Sequence, residues 1–125
     1  MVKAYATNIE KVTLRNKNYR RVLFTGKKIQ LVVMSLNPKE DIPFEVHPKI
    51  DQFIRIESGS AEIFAGGKKN KLSDGDVIII PAGTRHRVLN SSSSKKLKIY
   101  TIYATPEHPK GTVHKTRADA LKAHH

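Results

Sequence analysis

The residues of this 125-residue chain best suited to chemistry are Glu45, His47, Gln52 and His86. Carboxylate, imidazole and amide oxygen are the donors available for a divalent ion, because the chain has no cysteine and so no thiolate. Glu45 and His47 stand two apart, so on an extended strand both side chains leave the same face and can share one ion. Gln52, Ile54 and Ile56 form the next inward row, and Phe53, Arg55 and Glu57 turn the other way. His86 has to arrive from a different part of the fold.

The elements that bring it there are written around it. Gly75 is followed by the apolar run Val77, Ile78, Ile79 and Ile80, a short β-branched stretch that reads as a strand. Pro81, Ala82 and Gly83 make a turn, with proline fixing φ and glycine open to φ > 0. His86 then lies on the following strand, which runs to Asn90. Arg85 and Arg87 flank His86 and by alternation point away from the ion. On the other half, the metal-facing strand starts near Pro43 and turns Phe44 outward. Pro48 and Asp51 bracket a bend that returns Gln52 opposite His47.

Gly75, Pro81, Gly83, His86 and Asn90 resemble, position for position, the second conserved motif of the cupin superfamily. Glu45, His47, Gln52 and Gly59 match the spacing of the first motif but not all of its letters: the family usually has His where this chain has Glu45, and Glu where it has Gln52. The double exchange keeps four donors and one negative charge. The resemblance covers Glu45 to Asn90. It implies an all-β jelly-roll barrel (a double-stranded β-helix) of the small single-domain kind, mannose-6-phosphate isomerase-like. It also implies that Glu45, His47, Gln52 and His86 hold one divalent transition metal, Fe, Mn, Ni, Co or Zn.

The remaining sequence is consistent with that scaffold. Ala4 to Ile9, Arg20 to Phe24 and Ile29 to Leu36 read as early strands at a sheet edge, with a hairpin tip at Thr25, Gly26 and Lys27. Asn37 to Asp41 is a polar turn whose Pro38 separates strands. Ala61 to Phe64 and Lys71 to Leu72 form a hairpin around Ala65, Gly66, Gly67 and Lys68, and Ser73 to Asp76 turns into the second motif. Asn90 to Lys95 is a polar, low-complexity loop read as mobile. Leu97 to Ala104 alternates, with Leu97, Ile99, Thr101 and Tyr103 inward, which makes Tyr103 a candidate cavity residue. One domain spans 1–125, with the metal-site core at 43–104 and a tail at 105–125. In the tail, Thr116 and Asp119 resemble a capping box opening one or two helical turns that must dock to persist. His108 and His114 are expected at the surface. His124 and His125 are left out, as native residues or the remnant of a tag.

Composition bounds the function. At this length folding buries roughly two-thirds of the unfolded surface, enough for a core. There is no apolar run of about 18 residues to span a membrane, and Met1 to Glu10 lacks the apolar segment of a secretory signal. Together with the missing cysteines this fits a cytoplasmic protein. The net charge is +12, from 23 Lys and Arg against 11 Asp and Glu, but the charges fall at turns such as Lys27, Lys28, Lys68, Lys69, Lys95 and Lys96. A nucleic-acid partner is therefore not expected, since no basic stripe or recognition motif accompanies the charge. There is no phosphate-binding glycine loop before a helix, and Ser91 to Ser94 have no base to activate them. The expected function is a metal-dependent enzyme acting on a small oxygen-rich molecule, sugar-like or carbonyl, inside the barrel, by isomerase, lyase or dioxygenase chemistry. The alternative is a non-catalytic binding or sensing module using the same cavity. Phe44, Phe53 and Arg55, all opposite the cavity side, predict a homodimer that covers them.

Overall fold

The computed structural model describes residues 3–123. Its first element corrects the expected edge strand at Ala4 to Ile9. Asn8 accepts a hydrogen bond from the Lys11 N–H at 3.0 Å and caps helix α1, Ile9–Arg15, with Glu10 in the first turn and Arg15 in the last. The helix lies across one sheet and buries Thr13 fully. The spacing of Ile9, Val12 and Thr13 suits such a face, and tertiary cover outweighs the short apolar stretch that suggested a strand.

Ten strands follow: β1 Arg20–Thr25, β2 Gln30–Leu36, β3 Asp41–Glu45, β4 Asp51–Ser58, β5 Ser60–Ala65, β6 Lys68–Ser73, β7 Val77–Ile80, β8 His86–Asn90, β9 Leu97–Ala104 and β10 Val113–His114; helix α2, Arg117–Ala123, ends the described chain. They form two antiparallel sheets, ordered β10-β1-β2-β9-β4-β7 and β3-β8-β5-β6. This is the jelly-roll arrangement, in which the apolar rows of the two sheets meet. Val32, Met34, Leu36, Ile54, Ile56, Leu97 and Ile99 come from the larger sheet, and Ile42, Ala61, Ile63 and Val88 from the smaller; all are buried. Each of the larger aliphatic side chains contributes about 1.5–3 kcal/mol on burial.

The predicted alternation holds where it matters: Gln52, Ile54 and Ile56 are buried, as are Leu97, Ile99, Thr101 and Tyr103. Strand β3 starts at Asp41, ahead of the expected Pro43, and Pro43 sits within a register shift between Ile42 and Glu45, where its missing N–H is tolerated. The strand ends at Glu45, so His47 lies just beyond it. Gly59 turns β4 into β5 at φ 113°, and a Cβ there would come within 2.9 Å of the Lys96 carbonyl, so only glycine fits.

Two expectations for the loops need correction. The loop after β8 is not an unanchored serine run. Asn90 is fully buried; its Nδ2 donates to the carbonyls of Leu36, Asn37 and Lys95, and its Oδ1 accepts from Ser92 N–H. Buried polar groups need such partners, and here one side chain fastens three segments. The tail, expected to leave His108 on the surface, folds back across the barrel. Gln30, also fully buried, donates to the His108 carbonyl at 2.8 Å and accepts from the Glu107 and His108 N–H groups at 3.0 Å each. Helix α2 docks as required: Asp119 N–H donates to Thr116 Oγ1, Ala120 is buried, and the Arg117 guanidinium grips Asp41.

Candidate metal centre

Glu45 and His86 are direct cross-strand partners on β3 and β8. His47 reaches the same place because its backbone is pinned: Gly83 N–H donates to the His47 carbonyl at 2.9 Å, and Ala82 N–H donates to Asp51 Oδ1 at 2.8 Å. The turn at Pro81 to Gly83, with Gly83 at φ 84°, thus ties one half of the site to the other. One donor atom from each of Glu45, His47 and His86 lies within 4.8 Å of the others, an arrangement that could hold a metal ion. Glu45 Oε1 is 3.2 Å from His47 Nε2 and 3.5 Å from His86 Nε2.

The two imidazoles are set for ligation. His86 Nδ1 lies 2.9 Å from the Thr84 carbonyl, which can only accept, so Nδ1 carries the proton and Nε2 presents its lone pair inward. That Nε2 is buried and without a hydrogen-bond partner. His47 Nδ1 faces Glu107 Oε1 at 3.5 Å, leaving Nε2 toward Glu45. Glu107 has no motif of its own; the Gln30 bonds that carry it there join residues 77 and 78 apart in the chain, which local sequence patterns do not encode.

Gln52 is buried on β4 directly across from Tyr103 of β9. Its Nε2 donates to Thr101 Oγ1 at 3.0 Å, whereas its Oε1 is buried with no partner. An amide with its nitrogen anchored and its oxygen unmatched is a donor awaiting a positive group. Tyr103 is buried, with its ring edge-on to His47 at 5.7 Å and to His108 at 5.2 Å, and its hydroxyl 3.4 Å from His108 Nε2. Arg85 and Arg87 point away as expected: Arg85 stacks on Phe44 at 3.8 Å, and Arg87 pairs with Asp41.

Burial alone would raise the Glu45 carboxyl, but the neighbouring imidazoles of His47 and His86 outweigh it and hold Glu45 well below the usual carboxylate range. Burial would lower His47, but Glu45 and then Glu107 raise it above its ordinary 6.5. Burial pushes the Tyr103 hydroxyl far up, so it is a neutral donor or acceptor. Beside Glu45 opens a cleft of ≈ 270 Å³, lined by Tyr19, Arg20, Ile42, Pro43, Phe44 and helix α2.

A fold of this topology with His and Glu converging at this position defines a cupin, and the comparisons agree. A cupin domain model matches residues 32–103. The chain is 45% identical over 127 residues to the uncharacterized YrkC protein of Bacillus subtilis, covering 97% of this chain and 68% of that one. It is 50% identical over 112 residues to an uncharacterized protein of Acanthamoeba polyphaga mimivirus, covering 87% and 70% respectively. The crystal structure of BH2720 from Bacillus halodurans superposes with a TM-score of 0.93 at 42% identity, over 96% of this chain and 95% of that one. The chain belongs to the cupin domain family. No helix among the described residues is long and apolar enough to cross a membrane.

Proposed function

We propose that the protein is a cytoplasmic, metal-dependent cupin enzyme that acts on a small oxygen-rich molecule entering beside Glu45, with Glu45, His47, Gln52 and His86 as the ligands of one divalent transition ion. The observation that carries this reading is the pair of orphaned buried atoms, His86 Nε2 and Gln52 Oε1, alongside a carboxylate whose nearest partners are imidazoles. Leaving such atoms unmatched is costly unless a cation completes them. The donor set suits Fe, Mn, Ni, Co or Zn with positions left open. When bound, the ion supplies Lewis acidity toward a substrate oxygen.

The chain's own groups do the rest. Thr84 and Glu107 fix the imidazole tautomers, Thr101 orients the Gln52 amide, and Tyr103 shields one side of His47 while keeping its hydroxyl neutral. The cleft beside Glu45, ≈ 270 Å³, has room for a small molecule. Elemental analysis of protein purified without added metal or affinity tag tests the reading. About one equivalent of a transition metal per chain is expected, and metal content unaffected by His47→Ala and His86→Ala would overturn it. Stoichiometric metal with tight ligand binding and no turnover would move the function to a sensing module.

We also propose a homodimer, on different ground from the sequence expectation. Phe44 belongs to the smaller sheet, where Arg85 and Phe64 pack against it, so it does not share a face with Phe53 and Arg55. The larger sheet carries the apolar face: Phe53 stacks on Tyr100 at 6.1 Å, and the neighbouring edge strand exposes Val77 and Ile79, the latter 64% accessible. Light scattering should give twice 14.1 kDa at micromolar concentration.

A further inference from the structure

Arg20 is the most anomalous charge in the molecule. It stands on β1 opposite Met34, faces inward with that core residue, and is 2% exposed. No carboxylate among the described residues lies within ion-pair distance of it, although every other carboxylate-rich spot near the cleft is matched by Arg or His. Among the described residues its one polar side-chain partner is His114 Nδ1, 3.2 Å from Nη1, its guanidinium lies 5.5 Å from the Tyr19 ring centroid, and its Nε is buried and unmatched. A buried guanidinium normally comes paired, because removing it from water is costly and a carboxylate or phosphate fits its fork bidentately.

Its position says what is missing. Arg20 lines the same cleft as Glu45, together with Tyr19 and the buried Ala120 of α2, and the remaining wall, Ile42, Pro43, Phe44 and Leu121, is apolar or half-apolar. We propose that the cleft takes a substrate bearing a carboxylate or phosphate group, which Arg20 binds while another oxygen of the same molecule turns toward the metal centre. Arg20 is thus the residue that selects anions over neutral sugars or alcohols.

This specifies the substrate class of the metal-site reading and rests on it for the second contact, but anion capture by Arg20 does not require the ion. The test is an NMR titration of ¹⁵N-labelled protein, metal-free and zinc-loaded, following the arginine Nε–H resonances with lactate, lactamide and inorganic phosphate. Lactate or phosphate, or both, should move the buried Nε–H signal and bind about tenfold to a hundredfold more tightly than lactamide, as a charge-assisted contact replaces an unmatched one; which of the two binds identifies the anion. Arg20→Gln should erase the preference, and Arg20→Lys should keep part of it. Equal binding of lactate, phosphate and lactamide by the wild-type protein, or an undiminished preference in Arg20→Gln, would overturn the proposal. If Arg20→Gln does not fold, the wild-type comparison and Arg20→Lys decide. Preference present without zinc but no zinc bound would sustain Arg20 and sink the metal centre instead.

Discussion

Strand β3 carries a carboxylate at each end, Asp41 and Glu45, and the two are treated oppositely. Asp41 is held between two guanidinium groups, Arg87 Nε at 2.7 Å on one oxygen and Arg117 at 2.8 and 2.9 Å on the other. Both carboxylate oxygens are engaged there, one carboxylate shared by two guanidinium groups, and the result is to clamp the C-terminal helix to the barrel. Glu45 meets imidazoles instead, and the Nε2 that His86 turns toward it is buried without a hydrogen-bond partner. A satisfied network holds structure together; an unsatisfied one at the mouth of a cleft is waiting for a ligand.

Substitutions at the two ends should therefore fail in different ways. The largest effect is expected at the centre: His86→Ala or His47→Ala should weaken divalent-metal binding more than ~100-fold while circular dichroism and the melting transition still report a folded barrel. Metal bound only to the native wild-type protein should raise its melting temperature in a concentration-dependent way, and the variants should lose that response. At the other end Asp41→Ala should cost about 1–3 kcal/mol in denaturant unfolding, discounted for the partial exposure of both arginines, and leave metal affinity nearly unchanged. If Asp41→Ala instead abolished metal binding, the division between the two ends would be wrong.

The contrast also marks how far the sequence could be read. The frame of the candidate site was legible because it is local: Gly75, Pro81, Gly83, His86 and Asn90 set a strand, a turn and a strand, and parity alone placed Gln52, Thr101 and Tyr103 inward. The N-terminal helix was not, because Ala4 to Ile9 opens as a short apolar stretch that reads as a strand and the cap at Asn8 lacks the acidic residue three positions on that would have announced it. Asn90 was recognised by its place in a motif, but the loop it anchors was misread, since its partners Leu36 and Asn37 are 54 and 53 residues away. Glu107 and Arg20 were missed for the same reason. Their roles depend on which distant groups do or do not face them, and no periodicity records that.

Gln52 sharpens the comparison at intermediate size. Gln52→Glu replaces the unmatched amide oxygen by a carboxylate and adds a negative charge beside a cation site, and the Thr101 hydroxyl can rotate to donate to it. Divalent binding should tighten on the order of tenfold, about 1.4 kcal/mol, as read by competition with a fluorescent chelator. In the metal-free protein the same change should lower stability, because two carboxylates would then share a buried site. Unchanged affinity for Mn, Fe, Ni, Co and Zn would remove Gln52 from the ligand set.

The smallest expected effect is the dependence on pH, and it should reverse sign with metal. In the metal-free protein His47 is raised above 6.5 by Glu45 and Glu107, so its contribution is complete below that value and is lost as pH rises through the folded-state pKa. Glu45 is depressed, so its contribution is present above its ordinary 4.5 and is lost only in strong acid. Metal-free protein should therefore melt highest between about pH 5 and 6.5 and lose a few degrees toward pH 9. A bound cation competes with the proton on His47, so metal-loaded protein should gain stability over the same rise in pH. Calorimetry in chelator and in excess manganese checks both curves. Parallel curves would mean that the proton on His47 and the metal do not compete for one place, and that Glu45 is matched by its imidazoles alone, as Asp41 is by its arginines.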